Sequence, residues 1–346
     1  MKRTIDDRRN YGLLPKRNYM LLLLALLAAV IIVSLCLGRY FVSIETVVKV
    51  LGSHLLPLEQ TWERVEFNIV MNLRLPRILG AALVGSALAL SGATYQGIFK
   101  NPLVSPDLLG VSAGACVGSA IGILLHVGSL WIQILAFIGG IAAVALTTGI
   151  PKLMRRTSAV TLVLAGVIVG GFMNSLIGLM KYLADPETEL AEMTYWQLGS
   201  LANIKYPDLL SVGPVIIISG SILLAMRWRI NILSMGEDEA RILGMNIRRE
   251  RNIAILCATL MTASAVCISG TIGWIGLVIP HLARRLAGAD NRRVLPVSCA
   301  ISAVFLIFID TIARTLTGAE LPLGVLTGFI GAPFFAWIMI RERNDV

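Results

Sequence analysis

Charge is scarce in this 346-residue chain, with Asp, Glu, Lys and Arg making up 15% of it, against about 25% in soluble domains. With 56% hydrophobic residues and a mean hydropathy of +0.78, the composition excludes an ordinary soluble domain and places the chain in a bilayer. The three histidines, His54, His126 and His281, form no H-x-x-x-H pair of the kind that binds zinc on one helix face. The five cysteines, Cys36, Cys116, Cys257, Cys267 and Cys299, all sit in apolar runs, and none has C-x-x-C or metal-ligand spacing. They read as small hydrophobes. There is no G-x-x-x-x-G-K-[ST] phosphate loop, so nucleotide chemistry of that kind belongs elsewhere. Ionisable residues are nearly absent from mid-span, where an ion-coupled carrier needs them. The nearest, Asp310 and Lys181, lie toward outer span ends, and Asp310 has Arg314 at i+4 as a structural partner. No catalytic residue, metal site or cofactor is expected in this chain.

What charge there is lies in clusters. The net charge of +9 does not point to nucleic acid, which requires a basic face on a soluble module. Instead, basic residues crowd the tail 1–18, including Lys2, Arg3, Arg8, Arg9, Lys16 and Arg17, ahead of the uncharged run 19–38. That run exceeds the roughly 7–15 apolar residues of a signal peptide, so it reads as a first membrane span with a cytoplasmic N-terminus. Uncharged runs give about ten spans within a single transmembrane domain, 19–340: 19–38, 76–97, 108–126, 130–151, 158–180, 209–226, 252–270, 272–283, 295–313 and 321–340. The charge-free stretch 252–280 is read as a helix, a turn near Gly270 and a short returning helix. An even number of spans returns the tail 341–346 to the cytoplasm, and most of the 30 Lys and Arg residues then lie inside.

The outer segments 39–72 and 184–208 are acidic and are each expected to hold a short interfacial helix. Small residues recur every fourth position along three spans: Ala81 to Gly97, Gly110 to Gly122, and Gly324 to Ala336. Such stripes let helix backbones approach closely, and the fold class expected is an all-α polytopic membrane bundle. A weak inverted repeat is suggested by Ser91-Gly92 with Pro102 and Ser269-Gly270 with Pro280, at equal spacing and five spans apart.

The stretch 227–251, RWRINILSMGEDEARILGMNIRRER, interrupts this apolar pattern and is expected in the cytoplasm. Ser234 and Glu237 have the spacing of a capping box, which predicts a helix start with Glu237, Asp238 and Glu239 at its positive end and Gly244 as its stop. Gly236, Ala240 and Gly244 would leave one face bare for a docking partner. If ATP drives transport, a separate subunit binds it, and a docking helix of this kind is how that subunit would be engaged.

The runs RLPRILGAALVGSALALSGATYQGIFKNPLVSPDLLGVSAGA (74–115), GEDEARILG, SGTIGWIGLVIPHLARRLAG (269–288) and ELPLGVLTGFIGAPFFAW (320–337) resemble the permease family of binding-protein-dependent ABC importers for iron-siderophore complexes, haem and vitamin B12. The resemblance implies ten spans, a second permease copy or paralogue, two cytoplasmic ATPase subunits carrying ATP and Mg, and an external substrate-binding protein. It assigns Gly236, Glu237, Ala240, Leu243 and Gly244 to ATPase coupling, and Arg74, Arg77 and Arg314 to docking of the binding protein. Asn101 and Leu103 match residues that narrow the pathway near the cytoplasm, and the fifth and tenth spans would line it. Where some relatives carry a hydroxyl pair, this chain has Ala159-Val160. Pro280-His281 reads as a structural helix kink. The implied function is inward transport of an iron-siderophore complex across a bacterial or archaeal cell (inner) membrane. Haem, vitamin B12 and molybdate are the alternatives within the class, and an ion-coupled carrier is the alternative outside it.

Overall fold

The computed structural model describes residues 19–53, 59–154 and 159–344, and every regular element among them is helical. The tail 1–18 lies outside the described residues. In a bilayer each backbone N–H and C=O must be satisfied within its own segment, so long apolar runs fold as helices.

The chain enters through α1 (Tyr19–Cys36) and the short α2 (Ile44–Gly52), which Ser43 caps by accepting from Thr46 N at 3.1 Å. The 36-residue α3 (Arg64–Phe99) follows. Next come α4 (Val111–Leu124), α5 (Ser129–Leu153), α6 (Ala159–Leu183), the short α7 (Glu189–Leu198) and α8 (Tyr206–Ala225). The charged stretch forms α9 (Arg227–Met235) and α10 (Glu237–Ile242). The bundle closes with α11 (Ile247–Ser269), α12 (Ile275–Ala287), α13 (Asn291–Thr315) and α14 (Leu323–Asn344).

Each of the ten expected spans falls on one helix. Seven described helices are long and apolar enough to cross a membrane: α1, α3, α5, α6, α8, α11 and α13. The others, α4, α12 and α14, are shorter or more polar. Helix, turn and returning helix appear as expected in the 252–280 region, where Gly270 at φ +66° ends α11 and α12 turns back. The segments 39–72 and 184–208 hold the short helices α2 and α7, as expected. The last helix continues to Asn344, so the expected C-terminal tail is helical over its first residues.

The second span departs from expectation by starting at Arg64 rather than near residue 76. Residues Asn68–Arg74 take π-helical geometry, and Leu75 N donates to Val70 O five residues back. Pro76 has no N–H to offer the preceding turn, and the wider turn leaves Met71 O free. The Tyr206 hydroxyl donates to it at 2.6 Å, tying the start of α8 to α3.

Buried fractions place the core. Within their apolar windows α3 is 78% and α11 72% buried, whereas α1 is 22% and α5 28% buried. Central α3 packs against α8, α9, α11, α12 and α13. Close approach needs glycine there: a Cβ on Gly92 would fall on the Gly276 carbonyl oxygen of α12. The stripe on α4 works the same way, since Gly118 lies against the Leu135 carbonyl of α5. The stripe on α14 is packed most closely at its start, where Gly324 lies against the Leu198 carbonyl, while Ala336 at its far end is exposed. The proposed sequence repeat takes two different local structures. Ser91-Gly92 lies in mid-helix and Ser269-Gly270 at a helix end, with Pro102 in a turn and Pro280 inside α12.

Candidate functional site

Two polar regions flank the apolar bundle. At the end where α1, α3 and α13 meet, a cavity of about 450 Å³ is lined by Arg39, Arg74, Arg77, Lys205, Arg314 and Glu320 among others. The structure brings together the three expected docking arginines, but their side chains are not free. Arg74, Arg77 and Arg314 are 5%, 8% and 7% exposed. Arg74 donates to the Leu35, Cys36 and Tyr40 carbonyls, satisfying the end of α1. Arg77 Nε lies 2.8 and 2.9 Å from the two Asp310 oxygens, and its terminal nitrogen is 2.9 Å from Glu320. Arg314 donates to the Ser34 carbonyl and hydroxyl, and its Nε is 3.9 Å from Asp310. In this structure the three side chains expected to dock the binding protein are engaged within the chain itself. These three form the cavity floor and bind the helix ends, while Arg39 and Lys205 are the exposed cations beside them. The Asp310–Arg314 pair exists, but Asp310's closer partner is Arg77, a residue that sequence spacing does not reveal.

At the opposite end lies the expected coupling region. The capping box is absent: Ser234 belongs to α9 and donates to Asn231 O at 2.6 Å, and no side chain caps α10. Gly236, with extended backbone, separates the two helices. The other signals are reproduced, because α10 begins at Glu237 with three carboxylates in its first turn and Gly244 follows it at φ +71°. Ala240 overturns the bare-face expectation. It is 0% exposed, packed with Ile232 and Leu233 of α9, so the middle of that face is covered, while Gly244 at its end stays open. The accessible apolar surface consists of Met235, Ile242 and Leu243, which are 63%, 84% and 59% exposed.

Glu237 is 2.6 Å from Arg251 of α11 and 3.9 Å from Arg241. The Arg251 hydrogen bond holds its carboxyl below the ordinary glutamate value, and the charges of Arg251, Arg241 and Lys100 act in the same direction against partial burial. Lys100 begins the turn carrying the expected pathway residues. There Leu103 N donates to Asn101 Oδ1 at 2.9 Å, and Leu103 is 54% exposed. The helix expected to couple and the turn expected to narrow the pathway are thus electrostatic neighbours. Arg229 of α9 further pairs with Glu250 of α11 at 2.9 Å.

The expected pathway helices α6 and α14 both carry exposed apolar side chains. On α6 these include Val160, Leu164, Val167 and Phe172, and on α14 Phe329, Trp337 and Ile340. His281 packs edge-on to Phe335 with ring centroids 6.1 Å apart, in keeping with a structural role.

A protein-family model described as the FecCD transport family matches residues 26–341. The chain belongs to the FecCD transport family. The FecCD chain is 36% identical over 330 residues to the molybdate import system permease protein MolB of Haemophilus influenzae, covering 95% of this chain and 97% of that one. It is 38% identical over 319 residues to a protein of Helicobacter pylori named as an iron chelatin transport system permease, covering 88% and 96%. Other relatives are named for hemin transport in Yersinia pestis and cobalamin import in Halobacterium salinarum. A solved inward-facing structure described as a metal-chelate type ABC transporter aligns with a TM-score of 0.84 at 34% identity, covering 93% of this chain and 98% of that one. The FecCD protein is thus a multi-pass permease of the ABC importer class.

Proposed function

We propose that this FecCD permease carries an iron-siderophore complex inward, as the membrane-spanning part of an ATP-driven importer. The observation that carries the substrate class is the surface of α6. From Val160 to Leu179 its exposed side chains are uncharged, mostly aliphatic or aromatic, and broken by Gly171 and Gly178, around which there is open space. A large, weakly polar chelate fits such a wall, whereas a bare oxyanion calls for directed donors. The relative named for iron chelatin and the metal-chelate type structure support this reading. The match to MolB favours molybdate as the second reading.

In the proposed assembly, two cytoplasmic ATPases hydrolyse Mg-ATP and engage Met235, Ile242 and Leu243. A second permease copy or paralogue completes the pathway. An external binding protein delivers the chelate over the cavity floored by Arg74, Arg77 and Arg314. The membrane is a bacterial or archaeal cell (inner) membrane, with both termini and residues 227–251 in the cytoplasm. An ion-coupled mechanism is disfavoured because Asp310 is already neutralised by Arg77. Mass spectrometry of the ligand held by the cognate binding protein tests the substrate. An iron chelate is expected, and molybdate in its place would transfer the assignment to the second reading.

A further inference from the structure

A cavity of about 660 Å³ opens between α5 and α11 beside α10, and of the residues that line it only Glu237 enters the transport reading. Its polar end holds Lys152, Arg241, Arg248 and Arg251, against the single carboxylate of Glu237. Glu237 is already engaged by Arg251 and Arg241. Lys152 and Arg248 are exposed and have no carboxylate partner among the described residues, and the Arg251 Nε is buried without an acceptor. The opposite end is apolar, walled by Ile141, Val144, Leu162, Ile255 and Leu256. Leu256 is 57% exposed, so the apolar end is open at the surface of this chain.

Length distinguishes this slot from a simple anion pocket. Its walls run from Lys152 back to Ile141 on α5 and from Ile247 to Thr259 on α11, which at 1.5 Å per residue is about 16–18 Å. One leaflet of hydrocarbon is about 15 Å deep, half of a core of about 30 Å. A cluster of cations at one end of a one-leaflet apolar slot matches an amphiphile with an anionic head. Basic pockets between membrane helices on the cytoplasmic side are the usual place for acidic lipid headgroups.

We propose that this slot binds an acidic phospholipid, its phosphate among Lys152, Arg248 and Arg251 and an acyl chain along Val144, Ile255 and Leu256. Because Arg251 and Arg241 also hold Glu237, the lipid bridges the bilayer and the seat of α10. Lipid retention is read without transport, so its failure leaves the import reading standing, and failed import leaves the lipid site testable.

The full-length permease is reconstituted in phosphatidylcholine nanodiscs with or without one-fifth phosphatidylglycerol, extracted gently, and its retained lipid measured by native mass spectrometry. Wild type is expected to retain phosphatidylglycerol and to melt higher in its presence. The Lys152→Gln/Arg248→Gln variant, which changes exposed side chains, should lose retention about tenfold or more while melting normally in phosphatidylcholine alone. Ala145→Gln/Leu256→Gln should weaken retention of the lipid but not binding of inorganic phosphate. Equal retention by wild type and the cation variant overturns the proposal. So does loss confined to the cation variant, which marks a site for a free anion. Displacement of the lipid when the ATPase is added also overturns it, because the slot then belongs to the ATPase interface.

Discussion

Arg77 of α3 and Asp310 of α13 meet through Nε and both carboxylate oxygens at 2.8 and 2.9 Å, joining residues 233 positions apart in a nearly dry setting. Asp310 is 1% exposed, and Arg314 lies 3.9 Å away on the same helix. Removing one member of such a group leaves an uncompensated buried charge. Asp310→Asn should therefore destabilise the permease by about 3–5 kcal/mol, read as equilibrium unfolding in mixed micelles. Arg77→Met/Asp310→Leu should recover most of that loss. An Asp310→Asn variant as stable as wild type would show that the pair does not hold α3 to α13.

Docking of the binding protein should depend on the exposed cations beside this cavity rather than on its floor. Arg39→Glu and Lys205→Glu should slow association with the binding protein, and the effect should fade in high salt as the charges are screened. Exposed charge pairs contribute only about 0.2–1 kcal/mol each, so single alanine changes should weaken docking a few-fold. Changing Arg74 or Arg314 to alanine should instead lower stability, because their donors satisfy the end of α1. Surface-plasmon kinetics at low and high salt separate the two classes. A salt-insensitive association rate in the Arg39→Glu/Lys205→Glu variant would remove electrostatic docking at this rim.

Much of this architecture was readable because lipid leaves an apolar run few options other than a helix. The helices under the ten expected spans, the hairpin at Gly270 and the stop at Gly244 all rest on local chemistry of that kind. What stayed hidden depends on partners distant in sequence. Nothing local pairs Arg77 with Asp310, or Arg251 with Glu237 across the turn after α10. Ser234 and Glu237 have the right spacing for a capping box, yet the extended backbone at Gly236 puts Ser234 at the end of another helix. Ala240 looked like part of a bare face because its neighbours at four-residue spacing are glycines. Only the fold shows that Ile232 and Leu233 cover it.

Coupling to the ATPase should fail when the exposed apolar tip is made polar. Leu243→Asp is expected to cut transport and permease-stimulated ATP hydrolysis at least tenfold while leaving the thermal midpoint unchanged. Ala240→Trp should behave differently, since no space exists beside Ile232 and Leu233: it should dislodge α10 and lower the midpoint. If Leu243→Asp assembles and transports as wild type does, the contact lies elsewhere.

The tether between α10 and α11 should be insensitive to pH across the physiological range. Glu237 has its carboxyl lowered below the ordinary value of 4.5, first by the Arg251 hydrogen bond. A depressed carboxyl stabilises the folded arrangement above its unfolded value and loses that contribution as pH falls through the folded one. Hydrogen exchange of residues 237–242, corrected for intrinsic rate, should thus stay level from neutral pH to about pH 5. Glu237→Gln should raise it throughout that range. Exchange in wild type that already rises near pH 6 would mean that another group controls the tether.

Orientation in the membrane follows from where the basic residues lie, and single cysteines can read it with little disturbance to the fold. Four of the native thiols, Cys36, Cys116, Cys257 and Cys267, are buried, and only Cys299 is partly accessible. A Cys299→Ser background should therefore react slowly with an impermeant thiol reagent. Asn203, exposed beside the arginine-floored cavity, and Ile242, 84% exposed on α10, lie at opposite ends of the bundle. In intact cells Asn203→Cys should label and Ile242→Cys should not, with Ile242→Cys labelling only after permeabilisation. That outcome puts the cations of 227–251 inside, as the distribution of Lys and Arg requires, and leaves α10 within reach of a cytoplasmic ATPase. Labelling of Ile242→Cys alone in intact cells would invert the permease and place the arginine-floored cavity in the cytoplasm, where it could not receive an external binding protein.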